Sequence, residues 1–319
     1  MKIENAIQIY VEHRSSELSQ QTIEAYEYRL RFFVEWCEEN GLEEIENVSK
    51  KDVHDFLQHR KQDLAKTTYK ANTDTLRACL RYIEKLDFAE EGVHEVAESP
   101  TLTDSENVRD DIVPREKAEQ ILNQLDKFRY ASKEHALFQI FWETAARTGA
   151  VRGLDVEDYN AEQQYIEFHH RPEYSTPLKN ADNGQRLVSL SSPTCVVLDD
   201  YIAENRLDTQ DEHGRHPLLT TPNGRIAANT IRKWSYRVTC PEFYAECDCG
   251  KNTNYKYECE NSVGAHAWRR GAITHWLESD KPKEVVSDRA QVSERILEKH
   301  YDGRDERTKM EQRRQFFTD

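Results

Sequence analysis

The 319-residue chain is long enough for two domains that each bury a hydrophobic core. It has no apolar run near the ~20 residues needed to cross a membrane, and Met1–Tyr10 lacks the apolar stretch of a secretion signal. Seven cysteines, four of them crowded between residues 240 and 259, argue for reduced thiols and a metal site, so we expect a cytoplasmic protein with no membrane partner. The net charge of −15 excludes the overall basic footprint that most nucleic-acid-binding proteins carry.

The segment formed by residues 1–88 is predicted to be a small bundle of antiparallel helices. Ser19 is a helix N-cap that precedes apolar residues at helical spacing, and Gly41 ends that helix. Ser49 caps a second helix, and a third runs from about Lys66 to Leu86.

The periodicity disappears in residues 89–112, where acidic residues dominate, and this stretch is predicted to be an inter-domain linker. Residues 113–319 are predicted to form an α+β domain with a Cys-rich insertion at about 240–264. Its first elements are two helices and a β-hairpin, at Arg115–Leu125, Lys133–Thr144 and around Ile166 and Val188. The fold class is therefore mostly α with a small β-sheet.

Four separated pieces carry side chains that suit a phosphate. Arg147 follows a helix, and Lys179 lies at the tip of the hairpin. His266 and Arg269 are one helical turn apart, so both project from one face and offer a guanidinium fork beside a proton-exchanging imidazole. Tyr301 ends a short helix. Taken singly, these residues are also typical of a solvated arginine, a surface lysine, a surface pair and a packing tyrosine.

Their order along the chain resembles the catalytic pattern of the tyrosine recombinases, or phage integrases. The matching pieces are Thr144-Ala-Ala-Arg147, Lys179, His266-Ala-Trp-Arg269 and Tyr301. In the N-terminal half, the spacing of Ser19, Thr22, Tyr26, Leu30 and Phe33 is similar to the start of the family's helical core-binding domain. The resemblance covers nearly the whole chain and implies a SAM-like DNA-binding domain followed by the family's α+β catalytic domain.

The resemblance also implies phosphoryl transfer on double-stranded DNA, with no cofactor needed for catalysis. Tyr301 would attack a backbone phosphate and form a 3′-phosphotyrosine. Arg147 and Arg269 would stabilise the charge of the transition state. Lys179 would protonate the departing 5′-oxygen, and His266 would assist proton transfer at the nucleophile. A homotetramer is expected to assemble on DNA.

The sequence departs from the family pattern at three positions. Ala145 replaces the usual Gly before the first Arg, and Ala150 replaces the usual Glu after it. Arg289 falls where the third His is expected, and it could donate to a phosphate oxygen but could not shuttle protons. These departures leave open a catalytically impaired DNA-binding accessory protein on the same fold. A topoisomerase-like nicking enzyme, which needs one active site at a time, is a further alternative.

The start of the third helix is the candidate DNA-reading surface of the N-terminal domain, which would clamp the duplex opposite the catalytic domain. Its cations, hydroxyls and aromatic ring suit backbone phosphates and base edges. The candidate residues are Lys66, Thr67, Thr68, Tyr69, Lys70 and Arg77. Without the family context, the same stretch is an ordinary helix N-terminus.

Four cysteines, Cys240, Cys247, Cys249 and Cys259, lie within twenty residues of one another. They lack a Cys-x-x-Cys knuckle, but the segment from Cys240 to Val263 has almost no aliphatic residue with which to build a core. A structural zinc ion could supply the missing folding energy. The alternative is a flexible insertion with free thiols.

Asp and Glu number 59 against 44 Lys and Arg, and 32% of all residues are charged. This excess is typical of a halophilic, archaeal-type protein kept soluble in high salt, although an acidic protein with no DNA partner would have the same composition. For a halophilic protein, the melting temperature should rise with KCl, because counterions screen the repulsion between surface carboxylates. Full stability at low KCl would contradict this hypothesis.

Overall fold

A computed structural model divides the chain into two compact units, Met1–Arg109 and Asp110–Asp319. It describes residues 1–103, 106, 111–302, 304 and 306–314, apart from the side chains at 253, 254 and 300. The described part is mainly helical with small antiparallel sheets, which confirms the predicted fold class. None of its helices is long and apolar enough to cross a membrane.

Over residues 1–103, the first unit contains four α-helices and a short 3-10 turn between the second and third. The helices are α1 (Ile3–Ser15), α2 (Gln20–Glu39), α3 (Lys50–Asp63) and α4 (Lys66–Lys85). The predicted caps are confirmed: the Ser19 side chain accepts from the Thr22 amide, and Ser49 forms a reciprocal capping box with Asp52. One stripe of each helix is buried in a shared core.

The acidic segment assigned to a linker begins with residues that belong to this core. Val93 and Ala97 are both fully buried against the bundle, and residues 93–96 form a 3-10 helix that packs on α3 and α4. Residues 104, 105 and 107–110 of the same segment lie outside the described residues.

The second unit places short strands among nine described helices. The helices are α5 (Arg115–Phe128), α6 (Lys133–Thr144), α7 (Thr148–Arg152), α8 (Ser192–Asp200), α9 (Ala228–Thr239), α10 (His266–Glu278), α11 (Lys283–Ala290), α12 (Glu294–His300) and α13 (Glu306–Arg314). A π-helical turn extends α8 over residues 201–205.

The predicted hairpin is confirmed as β2 (Tyr165–Phe168) and β3 (Arg186–Ser189), antiparallel with buried Ile166 opposite Val188. The sequence did not predict β1 (Tyr159–Asn160), which adds a third strand beside β2. It also did not predict the separate pair formed by β4 (Thr220–Thr221) and β5 (Gly224–Arg225). Strands of two residues are too short to show alternation.

Helix α6 is the centre of the second unit, because it is buried on nearly every face. It packs against α5, α8 and α10. Trp268 of α10 is fully buried, with its ring 4.7 Å from that of Phe138 in α6. This contact fixes α10, which carries His266 and Arg269, against the helix that leads into Arg147.

At Gly271, the backbone of Val113 lies very close to α10. A Cβ at this position would lie 1.9 Å from the carbonyl oxygen of Val113. We expect Gly271→Ala to lower the free energy of unfolding by about 3 kcal/mol or more, because backbone must move to make room. Chemical denaturation measures the change. Gly149→Ala, in α7 with no atom within 4 Å of the added Cβ, is the matched control and should be neutral or slightly stabilising. Equal losses in the two variants would contradict the packing described here.

Candidate active site

Arg147 lies at the turn between α6 and α7, where it is the N-cap residue of α7. It is half-buried, and its Nη1 donates to the carbonyl of Gln291 over 3.4 Å. The preceding turn is set by Ala145, which adopts a left-handed conformation with φ 48°. Glycine adopts this conformation most readily, so Ala145 preserves the turn of the family pattern despite its Cβ.

Arg269 is 1% exposed, and its guanidinium is held by backbone rather than by a carboxylate. Nη1 donates to the carbonyls of Ala145 and Ala290, at 2.6 and 2.7 Å. Nε points to the Tyr301 hydroxyl at 3.4 Å. The remaining nitrogen, Nη2, is buried and has no hydrogen-bond partner among the described residues. A buried, unpartnered guanidinium nitrogen is a vacant donor suited to an anion.

Tyr301 ends α12 and is 7% exposed. The side chain of Thr274, in α10, donates to its carbonyl at 2.8 Å, which ties the end of α12 to the helix that carries Arg269. The Tyr301 hydroxyl lies 3.4 Å from both Arg269 Nε and His266 Nε2. The phenol is thus in contact with two of the residues that the sequence groups with it.

His266 is the first residue of α10 and keeps access to solvent. Desolvation by surrounding protein atoms, together with the positive charges of Arg269, Arg270, Arg147 and Lys179, lowers its pKa to about 4. The imidazole is therefore neutral at physiological pH.

The two arginines meet at the C-terminal end of α11. Arg269 binds the carbonyl of Ala290, and Arg147 binds the next carbonyl along the chain, that of Gln291. Burial lowers the pKa of Arg269, with Tyr301 opposing the shift and the charge of Arg147 adding to it. Within the described residues, neither guanidinium has a carboxylate at ion-pair distance. The pair forms a positively charged pocket beside the Tyr301 hydroxyl.

Lys179 lies in the loop that joins β2 to β3 and is exposed. The loop is anchored at its start by Arg171, which forms two hydrogen bonds to the buried carboxylate of Asp158, at 2.6 and 2.8 Å. Near its end, Gln291 donates to the carbonyl of Asn183 and accepts from Asn180. Because Lys179 is among the charges that act on His266, it lies within electrostatic range of the pocket.

The Arg289 guanidinium is held by three hydrogen bonds to protein groups. Its Nη1 donates to the Ser189 hydroxyl at 3.0 Å, and its Nη2 donates to the carbonyls of Glu143 and Ser189 at 2.9 and 2.7 Å. The guanidinium also stacks 5.3 Å from the centre of the Trp276 ring. These three hydrogen bonds fasten α11 to α6 and β3, and a contact of Arg289 with a phosphate stays a prediction.

Arg186, at the start of β3, is a residue that the sequence did not single out. Its Nε donates to the Arg289 carbonyl at 3.0 Å, and its guanidinium lies 4.4 Å above the Phe168 ring. Burial, and then the charges of Arg269 and Arg147, lower its pKa to about 10. It adds a third cation, half-buried, whose pKa responds to the charges of Arg269 and Arg147. Nothing in a four-residue strand marks one arginine as half-buried, so the sequence carried no signal for it.

The candidate DNA-reading residues of the first unit divide into two groups. Lys66, Thr67 and Thr68 are exposed at the start of α4, where Lys66 pairs with Glu106 at 2.8 Å, and the half-buried Lys70 pairs with Asp74. Tyr69 and Arg77 are committed to their own unit instead. Tyr69 is 8% exposed within the core, and Arg77 Nε donates to the carbonyl of Ala97. Tyr69 therefore has little surface to offer to DNA, Arg77 has its Nε engaged, and the DNA contacts of all six residues stay predictions.

The four clustered cysteines come together at one point next to α9. Their Sγ atoms all lie within 4.8 Å of one another. Cys240 and Cys259 are buried, whereas Cys247 and Cys249 are half-buried. Among the described residues of this unit, these four cysteines are the group that could hold a metal ion, and none of them belongs to the set around Tyr301.

Comparison with known proteins addresses the fold directly. A family model described as the phage integrase N-terminal SAM-like domain matches residues 7–85. No curated protein sequence matches the chain. Among solved structures, the Tn1549 transposon integrase in complex with circular intermediate DNA aligns with a TM-score of 0.67, 14% identity and coverage of 98% of this chain and 99% of that chain.

A lambda integrase dimer bound to a COC′ core site aligns with a TM-score of 0.65 at 12% identity, covering 96% of this chain and 98% of that chain. The chain has the tyrosine recombinase fold. The recombinase fold thus accounts for both units, and at this level of identity the likeness concerns the fold alone.

The low pKa of His266 predicts a pH dependence of stability. In the unfolded chain this imidazole takes up a proton near pH 6.5, whereas in the folded protein it does so only near pH 4. The free energy of unfolding should therefore fall as the pH drops from 6.5 towards 4. His266→Gln should make that fall smaller, as measured by urea denaturation at pH 7 and pH 5. An unchanged difference between the two pH values would contradict the desolvated, cation-surrounded imidazole.

Proposed function

We propose that this protein is a site-specific DNA recombinase that breaks and rejoins double-stranded DNA through a covalent bond to Tyr301. The observation that carries the proposal is the buried Arg269 guanidinium, which has an unpartnered Nη2 and lies 3.4 Å from the Tyr301 hydroxyl. A cation buried without a carboxylate, next to a nucleophile, fits a phosphodiester better than any neutral substrate.

In the proposed reaction the Tyr301 oxygen forms a bond to phosphorus, and the bond from phosphorus to the 5′-oxygen breaks. Arg269 and Arg147 bind the non-bridging oxygens, where negative charge accumulates in the transition state. Because backbone carbonyls already hold these guanidinium groups, little reorganisation is needed when the charge develops. The energy of the phosphodiester is kept in the phosphotyrosine, so reversal with a new 5′-hydroxyl joins the strands.

Two proton transfers complete the step. The phenol proton passes to His266, which is neutral because of its low pKa and lies 3.4 Å from the hydroxyl. Lys179 protonates the departing 5′-oxygen, since it is exposed and is one of the positive charges that act on His266. The reaction needs no metal or nucleotide at this pocket.

The proposed partner is double-stranded DNA, bound by a homotetramer. The solved structures with the same fold include a transposon integrase with circular intermediate DNA and a lambda integrase dimer on a core site. Exchange between two duplexes cuts four strands, which calls for four copies of a site that holds one nucleophile. In the first unit, Lys66, Thr67, Thr68 and Lys70 are proposed to contact the DNA backbone, with the Lys66 and Lys70 ion pairs exchanged for phosphates.

A catalytically impaired DNA-binding accessory protein is the second candidate. The observation that favours it is Arg289, which stands where the third histidine is expected and makes three hydrogen bonds to protein groups. The assembled contacts among Arg269, His266 and Tyr301 favour the enzyme.

The test is covalent trapping on a nicked suicide substrate that contains the cognate site, which is found first by selecting bound fragments from the DNA flanking the gene. The unaltered protein should form an adduct that survives denaturing electrophoresis. Tyr301→Phe should bind the same DNA within about twofold but give no adduct, because the phenyl ring keeps the packing and lacks the nucleophilic oxygen. Tyr130→Phe, an exposed tyrosine of the same unit, is the matched control and should form adduct normally.

The outcomes separate the candidates. An adduct that persists in Tyr301→Phe would move the nucleophile to another residue. Specific DNA binding by the unaltered protein without any adduct would support the accessory protein instead.

A further inference from the structure

The cysteine cluster has the dimensions of a metal tetrahedron. Cys240 Sγ lies 3.9 Å from Cys247 Sγ, 3.8 Å from Cys249 Sγ and 3.7 Å from Cys259 Sγ, and the distance from Cys247 Sγ to Cys259 Sγ is 3.8 Å. A tetrahedral ion with metal–sulfur bonds of about 2.3 Å separates its ligand sulfurs by about 3.8 Å. The thiols are not joined as disulfides. From this geometry we infer that Cys240, Cys247, Cys249 and Cys259 hold one structural zinc ion.

The surrounding segment gives an independent reason for a metal. Residues 241–262 contain no Leu, Ile, Val or Met. Tyr255 and Tyr257 are about half exposed, and the buried side chains described in this stretch are Lys256, Cys259 and Ser262. Phe243 and Tyr244 pack at the edge of the main core, and the rest of the segment has little apolar surface to bury. Zinc bound by four thiolates contributes directly to folding, as in small zinc domains that are unfolded without their metal.

The charge around the cluster also fits. Four thiolates and one Zn²⁺ carry a net charge of −2, which needs a cationic partner where water is partly excluded. Lys256 is 6% exposed, and its ammonium group lies 3.9 Å from Cys249 Sγ. The same ammonium group donates to Glu242 and to the carbonyl of Lys251. Besides pairing with Glu242, this buried lysine is therefore placed to offset part of the negative charge of a metal–thiolate centre.

The position of the cluster indicates what the metal does. Cys240 directly follows α9, and Cys259 lies seven residues before His266, the first residue of α10. Between them and α10, the Val263 amide donates to Thr239 Oγ1 at 2.9 Å, and its carbonyl accepts from Ser235 at 2.9 Å. Zinc would therefore fasten the chain that enters α10 to the end of α9. The metal site itself does not depend on the proposed recombinase function.

The direct test is metal analysis of the full-length protein, purified without chelators. We expect one zinc ion per chain, with X-ray absorption showing four sulfur ligands at about 2.3 Å. Cys247→Ala removes a half-buried ligand and should lose the metal to a competing chelator under conditions in which the unaltered protein retains it. Cys195→Ala, a buried cysteine outside the cluster, should retain it.

Less than half an equivalent of zinc in the unaltered protein, iron in its place, or nitrogen and oxygen ligands in the absorption spectrum would each overturn the inference. The spectrum is recorded on the unaltered protein, so the test stands even where a cysteine variant fails to fold.

Hydrogen exchange tests the structural role without any activity measurement. Removing zinc should speed exchange of the Val263 and Ala267 amides, which are bonded to Thr239 Oγ1 and to the carbonyl of Gly264. Exchange in α6 should stay slow, because its core does not involve the cluster. Faster exchange confined to residues 241–258 would show that the metal orders the insertion but does not hold the start of α10.

Discussion

The candidate site depends on burying one arginine without a counter-ion. Removing a guanidinium from water costs several kcal/mol unless its donors are satisfied, and Arg269 has only two carbonyls and a phenol to satisfy them. The packing of α10 on α6 through Trp268 and Phe138 offsets this cost. One nitrogen, Nη2, has no partner among the described residues, and its two N–H groups are suited to an anion.

The same unit treats its other buried charges differently. Asp155 is 1% exposed and is surrounded by Arg171, Arg215 and Arg225, all within ion-pair distance. At Asp155, three arginines therefore neutralise one buried carboxylate. At Arg269 and Arg147 no carboxylate is supplied within the described residues, although the protein as a whole carries a net charge of −15. The positive charge of the pocket is therefore local, and composition alone could not reveal it.

Much of the fold follows from local patterns in the sequence. The caps at Ser19 and Ser49, the helical stripes and the hairpin around Ile166 and Val188 are set by short-range rules, and the structure confirms them. Strands of two residues and the burial of Val93 arise from long-range packing, which short-range patterns do not report.

The site was only partly predictable for the same reason. The order of residues along the chain identified Arg147, His266, Arg269 and Tyr301 as a set. The fold brings the two arginines to the adjacent carbonyls of residues 290 and 291. Residue type did not show that Arg289 donates to the carbonyls of Glu143 and Ser189, or that Tyr69 is buried in the core. Which guanidinium stays unpartnered is decided by carbonyl groups far away in the sequence. The catalytic roles of the residues in this set, and the zinc ion, stay predictions.

The most direct test of the central claim is a crystal structure of the covalent complex trapped on a suicide substrate. The account predicts a phosphate joined to Tyr301, with one non-bridging oxygen at hydrogen-bond distance from Arg269 Nη2 and another oxygen bound by Arg147. A phosphate attached elsewhere, or an Arg269 Nη2 that turns away from it to bind protein, would contradict the account.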